Sequence, residues 1–111
     1  GKSADTFAPI GPYLVTFDEF SHYQSCPLSL DVNGQRMQSS NTNKMIHTVK
    51  TLVSYINQFM SLQAGDLIFT GTPEGVGLGF TPPVFLHQGD QIVAEVEGLG
   101  VQRHVVTDHT D

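Results

Sequence analysis

The sequence predicts an α+β fold, mostly β, with one main helix at about residues 44–60, and three observations carry that prediction. Leu28, Leu30 and Val32 alternate with Ser29, Asp31 and Asn33, the period-2 pattern of a half-buried strand. Asn33-Gly34 follows, a pair that tolerates positive φ at both positions and so suits a type I′ turn, with residues 35–39 returning as the second strand. Met45, Ile46, Val49, Leu52, Val53, Ile56, Phe59 and Met60 then recur at helical spacing, a wide apolar stripe for a helix lying on a sheet.

The remaining elements are shorter. Residues 13–17 read as an extended stretch, and Asp18-Glu19 begins a turn. The polar run Ser39-Ser40-Asn41-Thr42-Asn43 is rich in residues that cap helix N-termini. Ala64-Gly65-Asp66 marks a turn, and Leu67-Ile68-Phe69 is an apolar run short enough to be a buried strand. A glycine-rich segment over residues 71–79, with Pro82-Pro83 after it, reads as a long loop. Residues 91–97 and 101–107 read as two closing strands broken by Gly98 and Gly100. The sequence reads as having no internal repeat, low-complexity tract or dividing linker, so 1–111 is read as part of a single domain.

Composition narrows the partners. The net charge of −6 with only five Lys and Arg excludes a nucleic-acid surface, because phosphate binding needs clustered cations. An acidic surface is repelled by anionic lipid, and no apolar run approaches the roughly 18 residues of a spanning helix, so no membrane partner is expected. The single cysteine, Cys26, excludes an internal disulfide framework and fits a reducing compartment. The expectation is a soluble, cytoplasmic protein. The chain opens directly in Pro- and Gly-rich sequence without a polar arm, which reads as a truncated start.

Several groups could carry chemistry. Thr70-Gly71-Thr72-Pro73-Glu74-Gly75-Val76-Gly77 follows an apolar run, and glycines there let backbone N–H groups approach a ligand such as a carboxylate. It lacks the Lys-Ser/Thr of a phosphate-binding loop, and spacing alone favours a plain surface turn that uses glycine for geometry. Lys2, beside Ser3 and Thr6, could orient an oxyanion or meet a metal-bound substrate, or simply be a solvated charge. Glu95 and Glu97 share one face of a strand, as a hard-cation pair would, but have no third oxygen ligand in sight and read as a wet strand face. His104, Asp108 and His109 lack metal-ligand spacing and read as a solvated polar tail. His22, His47 and His87 have no partner that sequence identifies, and Cys26 lacks a spaced histidine.

The order of these segments is more specific than any of them. Lys2-Ser3-Ala4-Asp5-Thr6-Phe7-Ala8-Pro9-Ile10-Gly11-Pro12 resembles the Lys-Ser-Phe-Asp-Thr-Phe-x-Pro-x-Gly-Pro segment of the fumarylacetoacetate hydrolase family. Val32-Asn33-Gly34 looks like that family's hairpin, and Asn41-Thr42 with Met45-Ile46 like the start of its helix. Leu62 with Gly65-Asp66-Leu67-Ile68, followed by Thr70-Gly71-Thr72-Pro73-x-Gly75-Val76-Gly77, is similar to its best-known block. Phe85-Leu86-x-x-Gly89-Asp90 and Val96-Glu97-Gly98-Leu99-Gly100 complete a match that runs from Lys2 to about Val106.

The resemblance implies the C-terminal portion of a catalytic domain: a mixed β-sheet roll or sandwich, incomplete at its N-terminal side, in a protein that is usually a homodimer. It implies hydrolysis, decarboxylation or isomerisation of small 2-oxo or β-diketo acids with Mg²⁺, or alternatively Mn²⁺ or Ca²⁺. By the same resemblance Lys2 is catalytic and substrate-binding, Thr72 and Gly71 are substrate-binding, and Thr6 is peripheral to the metal. The family's main metal carboxylates, a Glu-x-Glu pair and an Asp, precede the Lys-Ser motif and are absent from this chain, as are its lid histidine and glutamate. Ala4 stands where the family usually has an aromatic residue. Three readings follow: an enzyme fragment inactive alone and binding no metal tightly, a non-catalytic binding or assembly module, or an enzyme completed by another chain.

Overall fold

The computed structural model describes residues 2–108 and bears out the mostly β, one-helix expectation. Four strands, β1 (Pro27–Val32), β2 (Gln35–Asn41), β3 (Gln91–Val96) and β4 (Gly100–Val105), form one antiparallel sheet in the order β2-β1-β3-β4. The hairpin between β1 and β2 turns through Asn33 at φ 50° and Gly34 at φ 79°, the positive pair that a type I′ turn demands. β1 lies in the middle of the sheet, and Leu28–Val32 are all half-buried, as suits a strand with neighbours on both sides.

The β1·β2 ladder slips once. Leu30 pairs with Gln38 but Asp31 pairs with Arg36, leaving Met37 as the extra residue of a β-bulge. Next to the turn of this hairpin Asp31 and Arg36 form an ion pair. The Asp31 carboxylate, by its hydrogen bond, holds the Arg36 guanidinium proton more firmly than usual.

The helix is shorter than its periodicity predicts. Helix α1 spans Val49–Ile56, not 44–60. Its N-cap is Thr48, whose hydroxyl accepts from the Thr51 N–H at 3.1 Å, while Gln24 Oε1 takes the Val49 N–H at 3.0 Å. Residues Thr42–Lys44 form a separate 3₁₀ turn capped by Asn41. These two capping groups fix where the helix can begin, and the apolar spacing before Thr48 belongs to a different turn.

α1 also does not lie on the sheet: it makes no extensive contact with any strand. Val49, Leu52 and Ile56 are half-buried, whereas Ile46 is 94% exposed, and Tyr55 and Phe59 meet at a tilt of 59° with ring centroids 5.1 Å apart, both exposed. The run Leu67-Ile68-Phe69 is likewise not a strand, since among the described residues no neighbour pairs with it; Leu67 and Phe69 are 56% and 57% exposed.

What is well covered is small. Among the described residues the buried apolar side chains are Phe20 at 7% and Cys26 at 1% exposed. Around Cys26 the segment 22–26 is tied to the start of the 3₁₀ turn. The Thr42 hydroxyl donates to the Tyr23 carbonyl and accepts from the Cys26 N–H, both at 2.8 Å, and Gln24 Nε2 donates to the Thr42 carbonyl at 2.8 Å. Among the described residues no helix is long and apolar enough to cross a membrane.

Candidate functional site

The glycine-rich loop is held from behind by the sheet. Gln38 on β2, only 8% exposed, sends its Nε2 to Thr72 Oγ1 at 2.9 Å and to the Pro73 and Glu74 carbonyls at 3.0 and 3.2 Å. Gly75, at φ 98°, passes so close to the Met37 carbonyl that no side chain could be accommodated. Farther along, the Val84 N–H closes onto the Gly77 carbonyl at 2.9 Å. The result is a loop whose inner side is fastened while Gly71 and Thr72 remain exposed to whatever approaches.

Lys2 and Thr6 belong to a different anchor. Both are exposed, in a segment that turns through a Phe7 N–H to Ala4 carbonyl bond of 3.2 Å. Thr6 adopts φ 65°, an uncommon conformation for a β-branched residue, costing about 1–3 kcal/mol. Gln102 Nε2 on β4 donates to the Gly11 carbonyl at 2.6 Å and ties the end of this segment to the sheet. Among the described residues no hydrogen bond or ion pair joins Lys2 or Thr6 to Gly71 or Thr72.

Beside the segment lies a groove of about 500 Å³, lined largely by apolar side chains that include Ile10, Tyr13, Leu67, Phe69, Val96 and Leu99. Glu95 and Gln102 supply polar groups on its strand side.

A divalent cation's cage does not fit the residues present. Among the described residues no three His, Cys, Asp or Glu side chains come together as metal ligands. Glu95 and Glu97 are exposed at the end of β3, as a wet strand face requires. The expectation for His104 needs correcting. It is half-buried within β4, paired with Ile92, and its Nε2 lies 3.3 Å from Gln102 Oε1, because it belongs to the closing strand, which runs to Val105, and not to the polar tail. Asp108 is exposed, and His109 lies outside the described residues. Cys26 is enclosed, its thiol donating to the His22 carbonyl at 3.1 Å, which is the position of a structural thiol.

Two features escaped the sequence reading. Gln38 is one, because a polar residue on a hairpin strand reads as outward-facing, and only the unpaired Met37 turns it toward the loop. The other is a turn used twice. In Gln63–Asp66 and in His87–Asp90 the aspartate carboxylate accepts from the N–H of the residue three positions earlier, at 2.7 Å in both. The shared Leu-x-x-Gly-Asp-x-Ile pattern at Leu62 and Leu86 was the available signal. Asp90 is held below the ordinary carboxylate range, first by the His87 N–H and then by the Asn33 side-chain amide.

Comparison with known proteins accounts for this arrangement. Residues 1–107 match the fumarylacetoacetate (FAA) hydrolase C-terminal family. A mitochondrial oxaloacetate tautomerase of Bos taurus is 48% identical over 101 residues, covering 91% of this chain and 32% of that protein. The fumarylacetoacetate hydrolase of the psychrophile Exiguobacterium antarcticum superposes with a TM-score of 0.92 at 42% identity, covering 98% of this chain and 39% of that one. Maleylpyruvate hydrolase from Sphingobium sp. SYK-6, solved with manganese(II) ion and pyruvate, gives a TM-score of 0.82 at 34% identity, covering 93% and 36%. The chain thus spans about a third of the length of the curated relative it matches. Sequence order, sheet and loop agree with these matches, and the chain belongs to the fumarylacetoacetate hydrolase family, within its C-terminal portion.

Proposed function

We propose that this chain supplies the substrate-facing loop of a divalent-metal-dependent enzyme acting on small 2-oxo or β-diketo acids, by C–C hydrolysis, decarboxylation or isomerisation. The observation that carries the reading is an exposed Thr72 on a loop fastened from behind by Gln38. That is how a binding hydroxyl is kept in place at low entropic cost. The relatives solved with manganese(II) and pyruvate support an oxo-acid ligand and a divalent ion. In this reading Gly71 and Thr72 contact the substrate, Lys2 brings a cation to developing anionic charge, and Thr6 lies at the edge of the metal site. Mg²⁺ is the expected ion. Its carboxylates come from outside this chain, and the chain alone is inactive.

The uncovered apolar surface around α1 and residues 67–69 favours a homo-oligomer, and equally a second reading as a non-catalytic assembly module. One experiment separates the two. This chain is joined to the upstream half of a family member and assayed with acylpyruvates and oxaloacetate in the presence of Mg²⁺ or Mn²⁺. Turnover is expected. Lys2→Ala should lower kcat by about 100-fold or more, and Thr72→Val should mainly raise KM, by the loss of roughly 0.5–1.5 kcal/mol. A folded, metal-loaded fusion that leaves every oxo-acid untouched would refute the enzyme reading.

A further inference from the structure

Gln38 stands out because it is a buried polar side chain whose contacts all go to one loop. Which end of its amide faces that loop is decided by chemistry. Two of the three partners are the Pro73 and Glu74 carbonyl oxygens, which can only accept, so the NH₂ end must face them. The amide nitrogen cannot accept, so the third partner, Thr72 Oγ1 at 2.9 Å, also takes a bond from Gln38, with one of the two amide hydrogens shared between two acceptors. A hydroxyl that accepts in this way keeps its single O–H for donation. The internal acceptor within its reach is the Pro73 carbonyl at 3.4 Å, long for an O–H···O bond, so a better acceptor would take the proton.

The backbone is arranged around the same contact. The β-bulge at Met37 disturbs the alternation of β2 one residue before Gln38, and bulges commonly re-aim a side chain. The Met37 carbonyl is the atom against which Gly75 packs, so strand and loop are pressed together on both sides of the amide.

We propose that Gln38 is a positioning residue that fixes the Thr72 hydroxyl as a hydrogen-bond donor, committed to a carboxylate or carbonyl oxygen of a small oxo-acid. The substrate half of this proposal rests on the reading of Thr72 given under Proposed function. Gln38 does not touch the substrate. It sets the polarity of the hydroxyl that does, and so favours ligands that present bare acceptor oxygens.

Two measurements test it. Backbone NMR order parameters on this chain read the positioning directly. In Gln38→Leu, those at Gly71, Thr72, Glu74 and Gly75 should fall from about 0.85 to below about 0.6 while β1 and β3 keep theirs. Should the leucine disturb the sheet as well, Gln38→Glu decides. The acid can donate while protonated but not once ionised, so loop order relative to wild type should fall as pH rises through its titration. Loop order unchanged in Gln38→Leu, or indifferent to pH in Gln38→Glu, overturns the proposal.

The second measurement is a kinetic cycle in the fusion described above. Gln38→Leu and Thr72→Val should each raise KM for the oxo-acid several-fold with a smaller effect on kcat, and the double variant should be no worse than the poorer single one. Additive losses overturn the assignment of Gln38 to Thr72. A fusion inactive on oxo-acids would sink the proposed function, whereas the order parameters would still decide whether Gln38 holds the loop.

Discussion

Asn33 and Asp90, far apart in the chain, close one end of the sheet against each other. Asn33 Nδ2 donates to Asp90 Oδ1 at 2.8 Å, and Asn33 Oδ1 accepts the Gln91 N–H at 2.9 Å. The Asn33 N–H in turn donates to the Gln91 carbonyl at 2.8 Å. The turn residue of one hairpin is thereby also the clasp on the strand that follows Asp90.

This clasp has a pH signature. The Asp90 carboxyl is held below its ordinary range, so it stabilises the fold above the unfolded value and loses that contribution as pH falls through the folded one. Asp90→Asn should melt at a lower temperature than wild type at neutral pH. The gap should narrow as the buffer is taken below about pH 4. Thermal melts of both proteins from pH 2 to 7 check this, and a gap that widened in acid would contradict it. Asn33→Ala should cost about 1–2 kcal/mol for the positive φ alone.

Gly75→Ala tests the fit between loop and strand. Its added methyl would meet the Met37 carbonyl while the residue is held at φ 98°. The loop must move, with a loss of about 1–3 kcal/mol expected from overpacking. Because the same movement withdraws Thr72 from Gln38, backbone order parameters over residues 71–75 should fall too. An alanine variant as stable and as ordered as wild type would mean that the loop is not pressed on β2.

Calorimetry on the chain alone should detect Mg²⁺ or Mn²⁺ binding no tighter than about 1 mM, since no carboxylate cage is assembled among the described residues. Glu95→Gln and Glu97→Gln should leave the titration unchanged. A stoichiometric, micromolar site abolished by Glu95→Gln would overturn the assignment of the metal ligands to residues outside this chain.

The chain alone should self-associate. Ile46, Phe59, Leu67 and Phe69 leave apolar surface uncovered that water disfavours. Light scattering should show a mass that rises with concentration, and Phe69→Asp should lower it. A compact monomer stable across dilutions would count against the expectation.

The sheet was legible in the sequence because its signals are local. Asn33-Gly34 sets the hairpin, and the alternation of Leu28, Leu30 and Val32 sets the strand before it. What was hidden depends on distant partners. The helix begins at Val49 because Thr48 and Gln24 cap it, and apolar spacing upstream could not show a capping amide arriving from residue 24. Leu67-Ile68-Phe69 has the composition of a strand but nothing to pair with among the described residues. The motif order pointed to Thr72 and Gly71, while Gln38, which bonds Thr72, looked like any polar strand residue.

The strand order also bears on how this family can change. The two hairpins are nearly local, and the meeting of β1 with β3 spans everything from residue 42 to 90. That excursion is pinned at one end by Thr42 on Cys26 and at the other by Asp90 on Asn33. Doubling the length of a flexible connection costs only about 0.6 kcal/mol, so the excursion can be rewritten while the sheet persists. Insertions and substitutions can therefore accumulate in it under weak structural constraint. The contacts of Gln38 and Met37 are the rivets such drift has to respect.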